Sequence, residues 1–123
     1  MPEPNYILLY VASPAASAGF YGDMLGRKPV EDSPNFVLFV LASGVKLGLW
    51  ARADVQPTAA EAIGGNEIAF TLPDVVAVHA AHDDLRARGL RIAQAPTEMD
   101  FGTTFVALDP DGHRLRFFAP VAP

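Results

Sequence analysis

Alternating apolar and polar positions, interrupted by turn-forming residues, divide the chain into ten short elements. Ser13 followed by Pro14 is typical of a helix start, and Gly26 is typical of the residue that follows a helix. The pattern predicts strands at 6–12, 28–32, 35–42, 44–51, 67–72, 90–96, 102–108 and 113–119, and helices at 15–25 and 74–88. The predicted order is therefore βαβββ, a linker, and βαβββ again.

The two halves also match in sequence order, which favours an internal duplication. Gly26 corresponds to Gly89, Gly44 to Gly112, and 49–50 to 117–118. We predict an α+β fold of two tandem βαβββ modules in one domain, with module one at 5–52, a linker at 53–65 and module two at 66–119. The alternative is an unduplicated α+β domain whose turns coincide.

Composition narrows the functional class. The 123 residues are half hydrophobic, enough for one buried core, and the net charge of −5 argues against a nucleic-acid partner. The absence of cysteine excludes disulfides, thiolate nucleophiles and cysteine-bound zinc. We find neither a run of about 20 apolar residues for a membrane span nor the pattern of a signal peptide. We expect a cytoplasmic protein.

One face of several predicted strands mixes aromatic and charged side chains, whereas the other face is aliphatic or phenyl. A solvated face would not carry Tyr10, Trp50 and Phe118, and a dry core would not carry Glu67 and Arg116. A cavity with flat aromatic walls and a few polar groups suits both sets. Of Phe36 and Phe39, on opposite faces of one strand, only one can reach it. The candidate ligand-binding residues are Tyr6, Tyr10, Phe39, Lys46, Gly48, Trp50, Glu67, Met99, Phe101, Arg114, Arg116 and Phe118.

Two segments, YVASPAASAGFYGDMLG and TTFVALDPDGHRLRFF, resemble the vicinal oxygen chelate superfamily of glyoxalases, bleomycin-resistance proteins and extradiol dioxygenases. Within that group the chain most resembles the phenazine-antibiotic resistance proteins. The resemblance implies two mixed sheets that each curl round a cavity, and a homodimer in which a second subunit completes it.

Enzymes of this superfamily bind a metal through His or Gln, Glu, His and Glu on four strands. The corresponding residues here are Tyr6, Gly48, Glu67 and Arg116, so one carboxylate remains. A divalent ion needs three or more nitrogen or oxygen donors, and arginine is a permanent cation. We therefore predict no metal and no cofactor. The three histidines, His79, His82 and His113, are interpreted as structural.

We expect Glu67 and Arg116 to form an ion pair; the alternative is two independent surface charges. Trp50, beside the space left by Gly48, is predicted to stack on a planar ligand, although ordinary packing or a dimer contact would also explain it. The preferred function is sequestration of a small planar aromatic compound without catalysis. An alternative is a lyase, isomerase or dioxygenase in which Glu67 acts as general base and Arg116 binds an oxyanion. A scaffold without a ligand is a third possibility.

Overall fold

The computed structural model describes residues 5–56, 58–59 and 66–121. Internal contacts divide the chain into two compact units, Met1–Ile63 (unit 1) and Gly64–Pro123 (unit 2). Each unit consists of one four-stranded sheet with one helix packed on it. We call the sheet face that packs on the helix the helix face, and the opposite one the outer face.

Unit 1 has a mixed sheet in the order β1-β4-β3-β2, in which β1 is parallel to β4 and the other pairs are antiparallel. The parallel pair requires a crossover, which α1 and the β2–β3 hairpin provide. The elements are β1 (Tyr6–Val11), α1 (Pro14–Leu25), β2 (Glu31–Ser33), β3 (Phe36–Val40) and β4 (Lys46–Ala51), followed by a 3-10 turn at Arg52–Asp54.

The core of unit 1 lies between α1 and the helix face of its sheet. The helix begins where the Ser13 hydroxyl accepts a hydrogen bond from the Ala16 amide at 3.2 Å, and it ends at Gly26, whose φ is 63°. The buried residues that fill this core include Leu9, Val11, Tyr21, Val37, Phe39, Leu47 and Leu49. Their alternation along each strand leaves the intervening positions on the outer face.

Unit 2 repeats this arrangement, with the order β5-β8-β7-β6 and β5 parallel to β8. Its elements are β5 (Glu67–Thr71), α2 (Val75–Ala87), β6 (Arg91–Met99), β7 (Gly102–Leu108) and β8 (Arg114–Pro120). On the helix face the Phe117 ring stacks between Phe105 and Phe70, with centroids 4.9 and 4.5 Å away. Val78 and Leu85 of α2 are buried as well.

The predicted order of elements and the α+β class are confirmed, and the shared strand order agrees with two tandem modules. Most strand ends lie within two residues of the prediction, and two strands, β2 and β6, differ by three residues at one end. β2 starts at Glu31 instead of 28, since its pairing with β3 begins opposite Leu38. β6 continues past Pro96 to Met99, because a shift of register between Gln94 and Thr97 accommodates the proline; a second shift lies between Ile92 and Gln94.

Part of the predicted linker lies outside the described residues, namely 57 and 60–65. Within the described part, Val55 is buried after the 3-10 turn. The limits of the modules, 5–52 and 66–119, remain predictions. Neither helix in the described ranges is long and apolar enough to cross a membrane.

Candidate functional site

The outer face of unit 1 is built from three cross-strand rows of side chains. The register places Tyr10, Trp50 and Phe36 in one row, and Leu8, Gly48 and Leu38 in the next. Tyr6, Lys46 and Val40 form the third row. Large apolar side chains are well exposed here: Tyr6 by 50%, Leu8 by 42% and Tyr10 by 37%. Contiguous exposed apolar surface of this kind is typical of a binding site.

A groove of about 630 Å³ opens on this face and is lined by Tyr6, Leu8, Phe36 and Trp50. The alternation in the sequence identified Tyr6 and Trp50, but it did not select Leu8 or Phe36. Leu8 could have been selected, since it shares a face with Tyr6 and Tyr10. Its aliphatic character gave no reason to prefer it over a core leucine.

The prediction that Phe39 binds the ligand is wrong. Phe39 is fully buried on the helix face, opposite Leu47 in the register and next to the position of Gly22 in α1. Phe36, three residues earlier, points to the other face and lines the groove. The sequence shows that the two phenylalanines oppose each other, but not which of them faces the helix.

Trp50 stands between two aromatic neighbours from the flanking strands. The Tyr10 ring lies 6.2 Å from the indole at 83°, and the Phe36 ring lies 6.4 Å from it at 86°. Such edge-to-face contacts are favourable and directional, so they restrict the rotation of the indole. Lys46 lies in the same strand, and its ammonium sits 5.1 Å from the centre of the Tyr6 ring, which brings a positive charge to the groove.

The space above Gly48 is not free, contrary to the prediction that it leaves room for a ligand. A Cβ atom placed there would lie 2.6 Å from Leu8 Cδ2 and 2.9 Å from Phe36 Cζ. The side chains of Leu8 and Phe36 therefore reach from the two neighbouring strands over the bare backbone of β4. They form the floor of the groove, and Gly48 lies beneath it.

The outer face of unit 2 is polar at the equivalent positions. Arg116 Nε donates a hydrogen bond to Glu67 Oε2 at 3.1 Å, which confirms the predicted ion pair. Arg116 Nη1 donates to Thr104 Oγ1 at 3.3 Å, and Thr104 itself donates to the Phe117 carbonyl at 2.9 Å. Arg116 lies opposite Ala69 in the register, so its side chain leans along the sheet to reach Glu67. Thr104 is fully buried, and the sequence analysis did not select it.

Two aromatic side chains complete this polar cluster. The Arg116 guanidinium lies 5.7 Å from the centre of the Phe101 ring, and Phe101 contacts Phe118 edge-on at 5.8 Å. The structure thus brings four of the candidate residues together in unit 2, Glu67, Phe101, Arg116 and Phe118. Arg114 is exposed opposite Glu67 in the register, and Met99 accepts a long hydrogen bond from Gln94 at 3.7 Å.

Two of the three histidines have structural surroundings. His82 is mostly buried; it contacts the Phe105 ring edge-on at 5.4 Å and Asp83 at 3.1 Å. His113 is buried and accepts a hydrogen bond from the Asn66 amide at 3.4 Å. His113 lies close to Asp109 and Asp111, and the side-chain atoms of these three residues that could bind a metal lie within 4.8 Å of one another. Asp109 Oδ1 accepts hydrogen bonds from the backbone amides of Asp111 and His113, so this cluster stabilises the β7–β8 turn.

The residues at the superfamily's metal positions do not fit a divalent cation. In unit 1, Gly48 has no side chain to bind a metal, and Leu8 and Phe36 fill the volume that a ligating side chain would need. In unit 2, Glu67 is the one carboxylate among the four metal positions, and its Oε2 accepts a hydrogen bond from Arg116. The fixed positive charge of Arg116 would repel a cation. We therefore derive no metal-dependent step for this chain.

Comparison with known protein families and structures agrees with the observed fold. The chain belongs to the Glyoxalase/Bleomycin resistance protein/Dioxygenase superfamily, whose profile matches residues 3–117. The sequence-based resemblance is thereby confirmed.

Individual relatives narrow the similarity further. The chain is 29% identical over 116 residues to the phenazine antibiotic resistance protein EhpR of Enterobacter agglomerans, a match that covers 92% of this chain and 88% of that protein. Among solved structures, it is similar to a protein of Agrobacterium tumefaciens determined by solution NMR (47% identity, TM-score 0.90, covering 99% and 100% of the two chains). It is also similar to a glyoxalase/bleomycin resistance protein/dioxygenase from Nocardioides (26% identity, TM-score 0.84, covering 98% and 84%).

Proposed function

We propose that this protein is a metal-independent binding protein of the antibiotic-resistance type, which sequesters a small planar aromatic compound by stacking. The observation that carries the proposal is the apolar groove of unit 1, with the indole of Trp50 fixed between two rings. Similarity to a phenazine antibiotic resistance protein supports the same class of ligand.

The energetics of the groove favour a flat, largely apolar molecule. Each aromatic contact contributes about 0.5–1.5 kcal/mol beyond the area it buries, and Tyr6, Phe36 and Trp50 all offer ring surface. Lys46 beside Tyr6 would attract an anionic substituent of the ligand. In unit 2, Glu67 and Thr104 hold the guanidinium of Arg116 in a fixed orientation, which would favour binding of an anion at the outer face of that unit.

We propose further that the protein works as a homodimer. Each sheet has two edge strands, β1 and β2 in unit 1 and β5 and β6 in unit 2. The groove of unit 1 is open, and its apolar side chains are up to half exposed. A second copy would cover such surface and complete the cavity, as the superfamily resemblance implies.

The test is a titration of the protein with phenazine-1-carboxylate, followed through the fluorescence of the single tryptophan. We expect saturable quenching with one ligand per groove, and unchanged ligand on recovery. Tyr6→Ala removes one wall of the groove and should weaken binding about tenfold. Val76→Ala, an exposed apolar position on α2, should bind like the wild type.

The outcomes separate binding from catalysis. No quenching by phenazine-1-carboxylate or by a broad panel of other flat aromatics would refute the proposal. Recovery of a product with altered mass would favour the enzyme, in which Glu67 serves as general base and Arg116 stabilises an oxyanion. The pairing of Glu67 with Arg116 engages both groups with each other, which supports a structural or binding role for them.

A further inference from the structure

The floor of the unit 1 groove depends on a side chain that is missing. Gly48 lies between Leu8 on β1 and Leu38 on β3 in the register, whereas Phe36 belongs to the next row, opposite Trp50. Even so, the tip of the Phe36 ring would lie 2.9–3.0 Å from a Cβ atom at position 48. Phe36 therefore leans from its own row over the backbone of Gly48.

The same Phe36 ring also contacts the indole of Trp50. The Phe36 and Trp50 rings meet at 86° with centroids 6.4 Å apart, on a pair of residues that lie directly opposite in the register. The angle at which the Phe36 ring meets the Trp50 indole depends on whether Phe36 tilts over Gly48 or stands upright on the sheet. The bare backbone at 48 is therefore linked to the orientation of Trp50 through one intervening ring.

We infer that Gly48 and Phe36 act as a positioning pair that selects flat ligands: the missing side chain lets Phe36 lie down as a low floor, and Phe36 in turn fixes Trp50 as an upright wall. A groove with a low floor and a fixed wall accepts a planar ring system, whereas a twisted biaryl of similar size collides with one or the other. This inference rests on the proposed function for the choice of ligand, but the link from Gly48 to Trp50 exists without any ligand.

The pair can be broken from either side. Gly48→Ala adds a methyl group that overlaps the positions of both Leu8 Cδ2 and the Phe36 ring, so these side chains must move. Phe36→Leu removes the ring but leaves the backbone unchanged. The double variant Gly48→Ala/Phe36→Leu provides the new methyl group with space. Gly19→Ala is the matched control, because a Cβ there meets no heavy atom within 4 Å among the described residues.

The first readout needs no ligand: the near-ultraviolet circular dichroism of Trp50, the only tryptophan in the chain. We expect Gly48→Ala and Phe36→Leu each to lower this signal, because only the Tyr10 contact then holds the indole in its native orientation, and Gly19→Ala to keep it. The double variant should regain thermal stability relative to Gly48→Ala without regaining the dichroism. If Gly48→Ala keeps the wild-type dichroism, the link between Gly48 and Trp50 is refuted. If Gly48→Ala does not fold, Phe36→Leu provides the test, and the link is refuted when that variant keeps the wild-type dichroism.

The second readout is selectivity, measured as the ratio of the dissociation constants of biphenyl-2-carboxylate, which is twisted, and phenazine-1-carboxylate, which is flat. The wild type should prefer the flat probe, and each variant should lower that preference about fivefold to tenfold, the value of one lost aromatic contact. An unchanged ratio in both variants would refute the selection of flat ligands. A wild-type protein that binds neither probe would refute the proposed function. The dichroism would still test whether Gly48 and Phe36 position Trp50, because that measurement needs no ligand.

Discussion

At the scale of single residues, Arg116 shows how a flexible side chain acquires a fixed direction. Its guanidinium is hydrogen-bonded at two nitrogens, by Glu67 and by Thr104, and one ring, Phe101, lies against it. An arginine in solution would lose considerable rotamer entropy on binding an anion, but here that cost is already met by folding. The buried hydroxyl of Thr104 matters most, because it joins the guanidinium to the backbone of β8.

We predict that Thr104→Val destabilises the protein by about 1–2 kcal/mol, because the buried Phe117 carbonyl and the Arg116 guanidinium each lose a hydrogen-bond partner. Thr104→Ser keeps the hydroxyl and is the control. Urea unfolding curves of the wild type and both variants measure this loss. A free energy of unfolding equal to that of the wild type in Thr104→Val would contradict the role of this buried hydroxyl.

Strand alternation alone was enough to predict several of these residues. It places Tyr6, Tyr10 and Trp50 on one face, and the structure agrees. The pairing of Glu67 with Arg116 needed the superfamily resemblance as well, which implies that these two positions converge, and the structure shows the pair. It cannot decide between Phe36 and Phe39, because that choice depends on which face the helix covers. Alternation also could not predict that the space above Gly48 is filled, because the Phe36 side chain leans into it from another row.

At the scale of the elements, the close approach of β7 and β8 at the end of their sheet depends on one glycine. Gly102 starts β7 with a φ of 147°, a conformation that other residues rarely adopt. A Cβ atom there would overlap the backbone of Ala119 and Pro120 on β8. The close approach of two backbones at this position follows from pairing Gly102 with Pro120 at the end of the sheet.

We predict that Gly102→Ala destabilises the protein by about 3 kcal/mol, from backbone strain and overlap together. Gly19→Ala, in the interior of α1, should instead stabilise it by about 0.5–1 kcal/mol, because alanine is the better helix former. Urea denaturation of both variants measures the difference. A Gly102→Ala protein as stable as the wild type would contradict the close approach of β7 and β8.

The order of elements could be predicted from the sequence, but their pairing could not be predicted in detail. Turn residues and helix caps are local signals, and Ser13 and Gly26 occupy the predicted places. Helix α2 was predicted to start at 74, and in the structure Asp74 caps it. The register of β6 is not local, since it depends on how Pro96 is accommodated opposite β7. For the same reason β6 extends beyond the point at which a proline predicts its end.

At the scale of the whole molecule, the proposed dimer is the prediction with the widest consequence. We expect light scattering to give twice the mass of one chain, because the open groove exposes large apolar side chains that a second copy would cover. A charged substitution on that surface, Leu8→Glu, should shift the mass toward that of a single chain, and Val76→Glu on α2 should not. A wild-type protein with the mass of one chain at every concentration would refute the dimer.

The irregular edge strand of unit 2, β6, has a consequence for a protein that must be abundant in the cell. A protein that protects by binding one target molecule per site must be as abundant as its target. At a high protein concentration, a straight and unpaired edge strand can pair with the edge strand of another chain. β6 forms the border of its sheet, and its two register shifts and its proline interrupt the ladder that an incoming strand would need. Under the proposed function, the irregular edge of β6 would therefore oppose edge-to-edge association of the accumulated protein.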